Sequence, residues 1–456
     1  DEIGVKLIWS ALTIAYKDHA DEVVPRVLPQ TLANLETLVI GPVHRLTRDS
    51  DPKLAVYAPK RPVDPQMAAM YMQQGMQPPE PQEQYGQVMQ LLGQEHYEVE
   101  RIELTADSGI PADADALLVL GPRDLNPRQT WEINRALSNG LPVLMAVQAH
   151  EYSYQPGQRG QWSISGNAIE HGLDPLLAGL GLGIVRDHFL DLNSTMLELP
   201  REVNLGGLRM QVREPVDAPV QISITQDQVN QDQPITNHIG SLLYLWGTPV
   251  ELDAPVLAEH GLEVTTLVES SGRCWTTDFG SGLLTPTQLD PQNHEMLPPQ
   301  PLMVLAEGEF PDAFAATEPP AWPESATAAA DDEDDAVGPE PVDSLTPLRP
   351  APASLVLVGS AKMFDDAVLQ GAQNALLLLN AVDFVAGSRD LLAIRSKQLT
   401  QRTIRPVQAG EKIVWQFVVL ALVPALFVVL GVMRLARRRA EAARYRRELR
   451  ARGPEG

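Results

Sequence analysis

The sequence predicts an α/β fold, a doubly wound and mostly parallel sheet, followed by one C-terminal transmembrane helix. Two patterns point to the sheet. Short apolar runs at 53–57, 97–104, 116–120, 143–147, 264–268, 302–306 and 354–359 have strand length and alternate with helical segments, the pattern of a sheet with helices on its faces. A β–α–β unit of about thirty residues between 116 and 147 implies a parallel pair joined by a right-handed crossover. The membrane helix rests on a third pattern: residues 413–433 are 21 consecutive positions without a charge. As a helix they rise about 31 Å, against a hydrocarbon core of about 30 Å.

In chain order, residues 1–50 lead into the α/β body, which occupies 51–310. The chain opens on Asp1 with no basic and apolar leader before it, so an upstream segment is expected. Residues 59–86 hold six prolines among Gln and Met, a composition that reads as a long mobile loop. The run 116–120 ends in Gly121-Pro122. Asn126 then caps a helix, with Pro127 at its first position and Gln129 placed for a capping box. Ile133, Ala136 and Leu137 share one face, Gly140 stops the helix, and 143–147 is the next strand. Residues 200–260, rich in Gln, Val, Thr and Asp, read as irregular β or loop additions. Residues 311–353 carry nine prolines, the acidic run from Asp331 to Asp335 and almost no bulky apolar residue after Trp322. They read as a disordered insertion between two strands of one domain. A last strand and a nearly all-apolar helix at 374–386 close the body within 354–412.

Lys412 precedes the apolar span and nine arginines follow it, from Arg434 to Arg452. The positive-inside rule therefore places the tail 434–456 in the cytoplasm and the body outside. Three acids oppose those arginines, which leaves −30 on the rest of a chain whose net charge is −24. An acidic body repels phosphate backbones, so nucleic acid is not an expected partner; lipids are expected partners of the basic tail. Length (456 residues), 44% hydrophobic and 21% charged composition exclude a wholly disordered chain. Cys274 is the single cysteine, so no disulfide framework exists.

A parallel sheet binds ligands beyond the C-terminal ends of its strands. That names the loops 121–124, 148–151 and 359–363, and with them Gly121, Arg123, Asp124, Gln148, His150, Gly359 and Ser360 as candidate crevice residues. No catalytic residue, metal or cofactor is expected. His150-Glu151 begins like a zinc-protease motif, but Tyr154 stands where the second histidine is needed. Gly179, Gly181 and Gly183 lack the third glycine of a dinucleotide loop, Ile184 and Arg186 standing there, and read as a glycine-rich turn. Lys362 lacks the preceding glycine of a phosphate loop, so ATP hydrolysis is not expected of this chain. Met67, Met70, Met72 and Met76 are thioethers of the kind Cu(I) accepts, yet no His or Cys joins them. Cys274 reads as a small packed residue rather than a nucleophile.

Four stretches, taken in order, resemble the extracytoplasmic auxiliary subunit of ABC transporters of the gliding-motility type, the GldG-like family. They are Ser10 to Ile14 with Val23-Val24-Pro25 and Asn34-Leu35-Glu36; Ala116 to Pro122 with Leu141 to Leu144; Ile235-Thr236 with Leu243 to Gly247 and Leu262 to Val268; and Leu355 to Gly359 with Asn380 to Phe384 and Ile394 to Lys397. The family usually starts with an N-terminal anchor and a further α/β subdomain, and neither is expected within these residues. An acidic turn is replaced by Ser360-Ala361-Lys362-Met363-Phe364. The resemblance implies a Rossmann-like body, similar to the glutamine-amidotransferase fold. That fold carries a cysteine at the turn after a strand, where this chain has Gln148-Ala149-His150. It further implies a non-enzymatic role in a bacterial inner membrane, beside a permease and an ATPase, with a homo- or hetero-oligomer open. Rival readings are an envelope hydrolase or amidotransferase using His150 or Cys274, and a glycan- or peptide-binding module.

Overall fold

The computed structural model describes residues 11–17, 21–24, 39, 43, 46, 50–63, 65–156, 162–205, 208–280, 282–315, 317–322, 347–387, 430–441 and 444. The chain divides into two units, 1–401 and 402–456. In the first, β1 (Leu12–Ile14) and β2 (Glu22–Val24) form a small antiparallel pair. Then follow β3 (Lys53–Tyr57), α1 (Pro65–Gln73), α2 (Gly86–Gln94), β4 (Glu98–Ile102), β5 (Ala116–Leu120), α3 (Pro127–Ser138) and β6 (Val143–Ala146). Next come β7 (His150–Pro156), β8 (Trp162–Ala168), α4 (Asp174–Gly179), β9 (Leu182–Ile184), β10 (His188–Asp191), β11 (Ser194–Leu205), β12 (Leu208–Thr225), β13 (Ser241–Leu245) and β14 (Val250–Leu252). The last are α5 (Ala254–His260), β15 (Glu263–Glu269), β16 (Cys274–Thr277), β17 (Gly282–Leu283), α6 (Pro286–Leu289), β18 (Pro301–Glu309), β19 (Pro352–Val358) and α7 (Asn374–Val385).

Seven strands form the central sheet in the order β15-β18-β19-β6-β5-β3-β4. The five from β19 to β4 are parallel to one another, and β18 runs antiparallel between β19 and β15. Both faces are covered, which is why β5 reads as an unbroken apolar run. Leu118 and Leu120 join α2 and α7 in one apolar cluster, while Leu117 and Val119 join α3, α4 and α5 in another. Burying each such leucine contributes about 2 kcal/mol. The capping box forms on α3, with the Asn126 side chain accepting from the Gln129 amide and Gln129 reaching back. Both edges resist further pairing. On β4 the charged Glu98, Glu100 and Arg101 are exposed, and β15 carries register irregularities between Thr266 and Glu269.

Three segments differ from the sequence expectation. Within 59–86 a helix, α1, forms: Pro65 occupies its first turn, its interior is Ala, Met and Gln, and the prolines flank it rather than interrupt it. The expected disordered insertion is ordered at both ends. Arg128 donates to the Pro320 carbonyl (3.0 Å) and lies 5.0–5.1 Å from the rings of Trp131 and Trp322. Asp312 pairs with Arg135, Asn139 donates to the Pro347 carbonyl, and β19 begins at Pro352. Composition hides this, because two tryptophans and a few backbone carbonyls anchor a segment that is otherwise polar. Positions 323–346 lie outside the described residues. Third, residues 200–260 take in the second half of β11 and all of β12, the two longest strands among the described residues. The apolar span from 413 to 429, the exit at 394–397 and the segment 34–36 lie outside the described residues. Residues 430–441 are helical. Among the described residues no helix is long and apolar enough to cross a membrane.

Candidate functional site

The parallel strands β3, β5, β6 and β19 deliver their following loops to one edge of the sheet, and a small crevice opens there. Of the residues expected there, Gly121, Arg123 and Gln148 line it; Asp124, His150, Gly359 and Ser360 do not. Gly121 has φ +55°, and a Cβ on it would overlap the Tyr85 hydroxyl, so only glycine lets α2 approach the end of β5. Gly359 is pressed against the Thr248 carbonyl and Tyr244. Ser360 is fully buried and donates to the Leu245 carbonyl at 2.7 Å.

Gln148 holds the crevice floor. Its Oε1 accepts from the amides of Ala361 and Lys362, both at 3.0 Å, and its Nε2 donates to the carbonyls of His150 (2.6 Å) and Trp246 (2.8 Å). Both acceptor positions and both protons of one amide group are used. The residue is only 6% exposed, so three separate loops are tied together by a side chain that has no capacity left for a ligand.

The wall of the crevice comes from Trp246, Lys362, Asp365 and Glu151, which are not among the seven candidate crevice residues. Trp246 has φ +58°, a conformation unfavourable for a bulky side chain. It is held there by its amide on the Val220 carbonyl, its indole N–H on Tyr154 (3.1 Å) and its own carbonyl on Gln148. The Lys362 ammonium lies 4.8 Å from the Trp246 ring centre and pairs with Asp365 at 2.9 Å. Opposite, Glu151 takes Arg123 at 3.5 Å and also Arg61. Each charge at the rim has a partner of opposite sign. The available signal for these residues was position, since Lys362 and Asp365 follow the end of β19 and Trp246-Gly247 follows β13. Burial pushes the Tyr85 and Tyr154 hydroxyls above their ordinary range, so both stay neutral hydrogen-bonding groups.

The model of the ABC-type uncharacterized transport system family matches residues 54–388, from the first strand of the central sheet to the end of α7. The chain belongs to this family. Its members are auxiliary components of ABC transport systems, and this auxiliary protein therefore associates with the other parts of such a system. Among curated proteins no sequence matches it. The N-terminal domain of mmIFT52 aligns at 12% identity and a TM-score of 0.37, covering 73% of this chain and 96% of that one. A ThuA-like protein from Bacteroides uniformis aligns at 10% identity and a TM-score of 0.32, covering 74% and 93%. Neither likeness carries an argument about function.

The remaining candidate chemistry of the auxiliary protein lies away from the crevice. His150 is buried among His188 and Phe279, whose ring centres are 5.1 and 4.8 Å away, and its Nε2 lies 3.0 Å from the Arg186 carbonyl. A carbonyl only accepts, so Nε2 carries the proton and Nδ1 is left as a buried acceptor without a partner. Burial, aided by the nearby His188, pushes its pKa down to about 3. Cys274 is fully buried at the opposite end of β16 from Thr277, the residue paired with His188. Three residues of strand separate those ends by about 10 Å. Its thiol sits 3.3 Å from the Ser270 hydroxyl, and burial raises its pKa. Cys274 meets Ser270 and the Leu297 and Pro298 carbonyls, whereas the His150 ring meets the Arg186 carbonyl, Tyr152, His188 and Phe279, so the two residues a cysteine hydrolase needs together have different partners. Among the described residues no group of three or more His, Cys, Asp or Glu could hold a metal.

Proposed function

We propose that this auxiliary component is a non-enzymatic, extracytoplasmic part of an ABC transport system of the gliding-motility type, binding a partner or substrate outside the membrane while another chain hydrolyses ATP. The observation that carries the reading is the occupancy of the turn after β19. Two adjacent amides, Ala361 and Lys362, stand where an open pair of donors could stabilise a developing oxyanion, and the Gln148 carbonyl already fills them. A nucleophile beside them is the other requirement of acyl transfer, and that position holds Gln148 itself. Paired charges around an aromatic wall suit recognition of a surface or a polar ligand instead.

The test is co-purification of the full-length chain with the permease and ATPase of its transport system. Arg123→Glu, which sets a second carboxylate against Glu151, should impair assembly or transport by tenfold or more while the protein stays folded. Cys274→Ser should fold and support transport unchanged. In that background a cysteine at Ala328 should react with an impermeant reagent in intact cells and one at Ala451 should not. Loss of transport in folded Cys274→Ser would sink the non-enzymatic reading, and the reverse labelling pattern would sink the topology.

A further inference from the structure

The crevice lies where the sheet reverses its order. β3 and β5 are neighbours, and the chain goes on from β3 to β4 on one side but from β5 to β6 on the other. A parallel sheet offers its ligand crevice at such a switch point. Arg123 enters it from the loop after β5, and Tyr85 from the start of α2, in the connection between β3 and β4. Tyr85 is only 4% exposed and its hydroxyl stands over Gly121, another lining residue. That hydroxyl has no hydrogen-bond partner among the described residues. An unmet buried donor is costly, and the hydroxyls of Tyr97, Tyr152 and Tyr244, buried as deeply, are each bonded within the protein.

Arg123 is the second underused donor. Its one ion pair among the described residues is with Glu151 at 3.5 Å, and Arg61 holds that carboxylate more closely. A guanidinium has N–H donors to spare beyond one such contact. The acids nearby are already engaged. Asp365 pairs with Lys362 at 2.9 Å, Asp366 accepts from the first two amides of α2 at 3.1 and 2.8 Å, and Glu83 pairs with Arg101. Burial keeps the Tyr85 phenol protonated, so it can donate. The enclosed space is about 20 Å³, against about 10–15 Å³ for one water, so it admits the oxygens of an end group and not a sugar ring or a nucleotide base.

We propose that the crevice binds a ligand carboxylate, with the Arg123 guanidinium and the Tyr85 hydroxyl donating to its oxygens. The inference rests on the reading that this edge binds rather than catalyses, and it names the class of ligand bound. A planar carboxylate matches the guanidinium fork. A phosphate needs more room and more donors, and the α2 amides that could meet it are filled by Asp366. The net charge of −24 opposes anions at long range, but at physiological salt that field is screened beyond about 8 Å.

The experiment titrates the full-length chain, purified in mild detergent at physiological salt, with acetate, N-acetylglycine and N-acetylglycinamide, followed by ligand-observed NMR. N-acetylglycine should bind about tenfold or more tightly than its uncharged amide. Arg123→Ala and Tyr85→Phe should each weaken both acids about fivefold or more. Tyr85→Phe removes a hydroxyl that bonds nothing within the protein, so its melting temperature should not fall. Arg213→Ser, which removes an exposed arginine outside the crevice, should bind as wild type does. Should Arg123→Ala unfold, Arg123→Lys keeps the charge without the fork and gives the same readout. Equal affinity for the two acids identifies a small free acid, and tighter N-acetylglycine identifies a peptide's C-terminal carboxylate; both uphold the site. Equal binding of acid and amide, binding of neither acid, or wild-type affinity in either crevice variant overturns this proposal alone. So does a Tyr85→Phe melting temperature lowered by several degrees, which would mean that the hydroxyl is bonded within the protein. Cleavage of N-acetylglycine in the same spectra overturns the non-enzymatic reading itself, and this proposal with it.

Discussion

Gln148→Ala is expected to lower the free energy of unfolding by on the order of 4 kcal/mol, an unusually large effect for a single polar side chain. The substitution removes four hydrogen bonds at once and leaves the amides of Ala361 and Lys362 and the carbonyls of His150 and Trp246 without the partner that ties them together. It also releases Trp246 from one of the contacts that hold it at positive φ. Gln148→Glu separates the two halves of this effect. A carboxylate still accepts from both amides, but it faces the carbonyls of His150 and Trp246 with nothing to donate. At neutral pH it should cost nearly as much as Ala. Relative to wild type at the same pH it should recover on acidification, when one carboxyl proton returns. Urea unfolding with hydrogen exchange at the Ala361 and Lys362 amides measures both. A loss of less than about 1 kcal/mol in Gln148→Ala would mean that the crevice floor is held by its glycine contacts rather than by this side chain.

That residue marks how far the sequence could be read. The crevice loops were legible because apolar runs ending in Gly121 and Gly359 locate the C-terminal ends of two parallel strands, and chemistry at that edge follows from topology. The Asn126 to Gln129 capping box was legible because it is local. Gln148 lines the crevice at that edge, but its role was not legible: its four partners come from positions 150, 246, 361 and 362, and only folding brings them together. His150, expected in the crevice, is buried instead because β7 turns inward and pairs with β8. Trp322 sits in a polar, proline-rich stretch whose composition argues disorder, while one cation between two indoles fixes it. The β11–β12 pair is hard to read for a different reason: its register puts Arg201 and Glu214 on the same face as Leu197 and Leu199, which breaks the apolar alternation in the sequence.

Acid should destabilise the body steeply between about pH 6.5 and pH 4. Three histidines, His150, His171 and His188, are buried among the described residues. Burial lowers all three; His150 lies at about 3 and His171 at about 4, the latter with help from Arg186 and against Asp174. The sign follows from where the protons bind. The unfolded chain takes up a proton on each imidazole near pH 6.5, whereas the folded chain refuses it until the pH falls to the lowered value, so unfolding gains protons and stability falls as pH falls. At pH 5 the loss is on the order of 2 kcal/mol for each of His150 and His171. Asp191 acts in the opposite direction, because burial raises its carboxyl, but its bonds to Ser271 and Asn193 limit that rise. His150→Gln preserves a donor toward the Arg186 carbonyl and cannot titrate. It should therefore remove about one proton from the pH slope of unfolding while leaving stability at pH 8 within about 1 kcal/mol of wild type. Urea unfolding from pH 8 to pH 5 decides it: a wild-type free energy that stays flat over that range, or a His150→Gln slope equal to wild type, would show that these imidazoles are already charged in the folded protein.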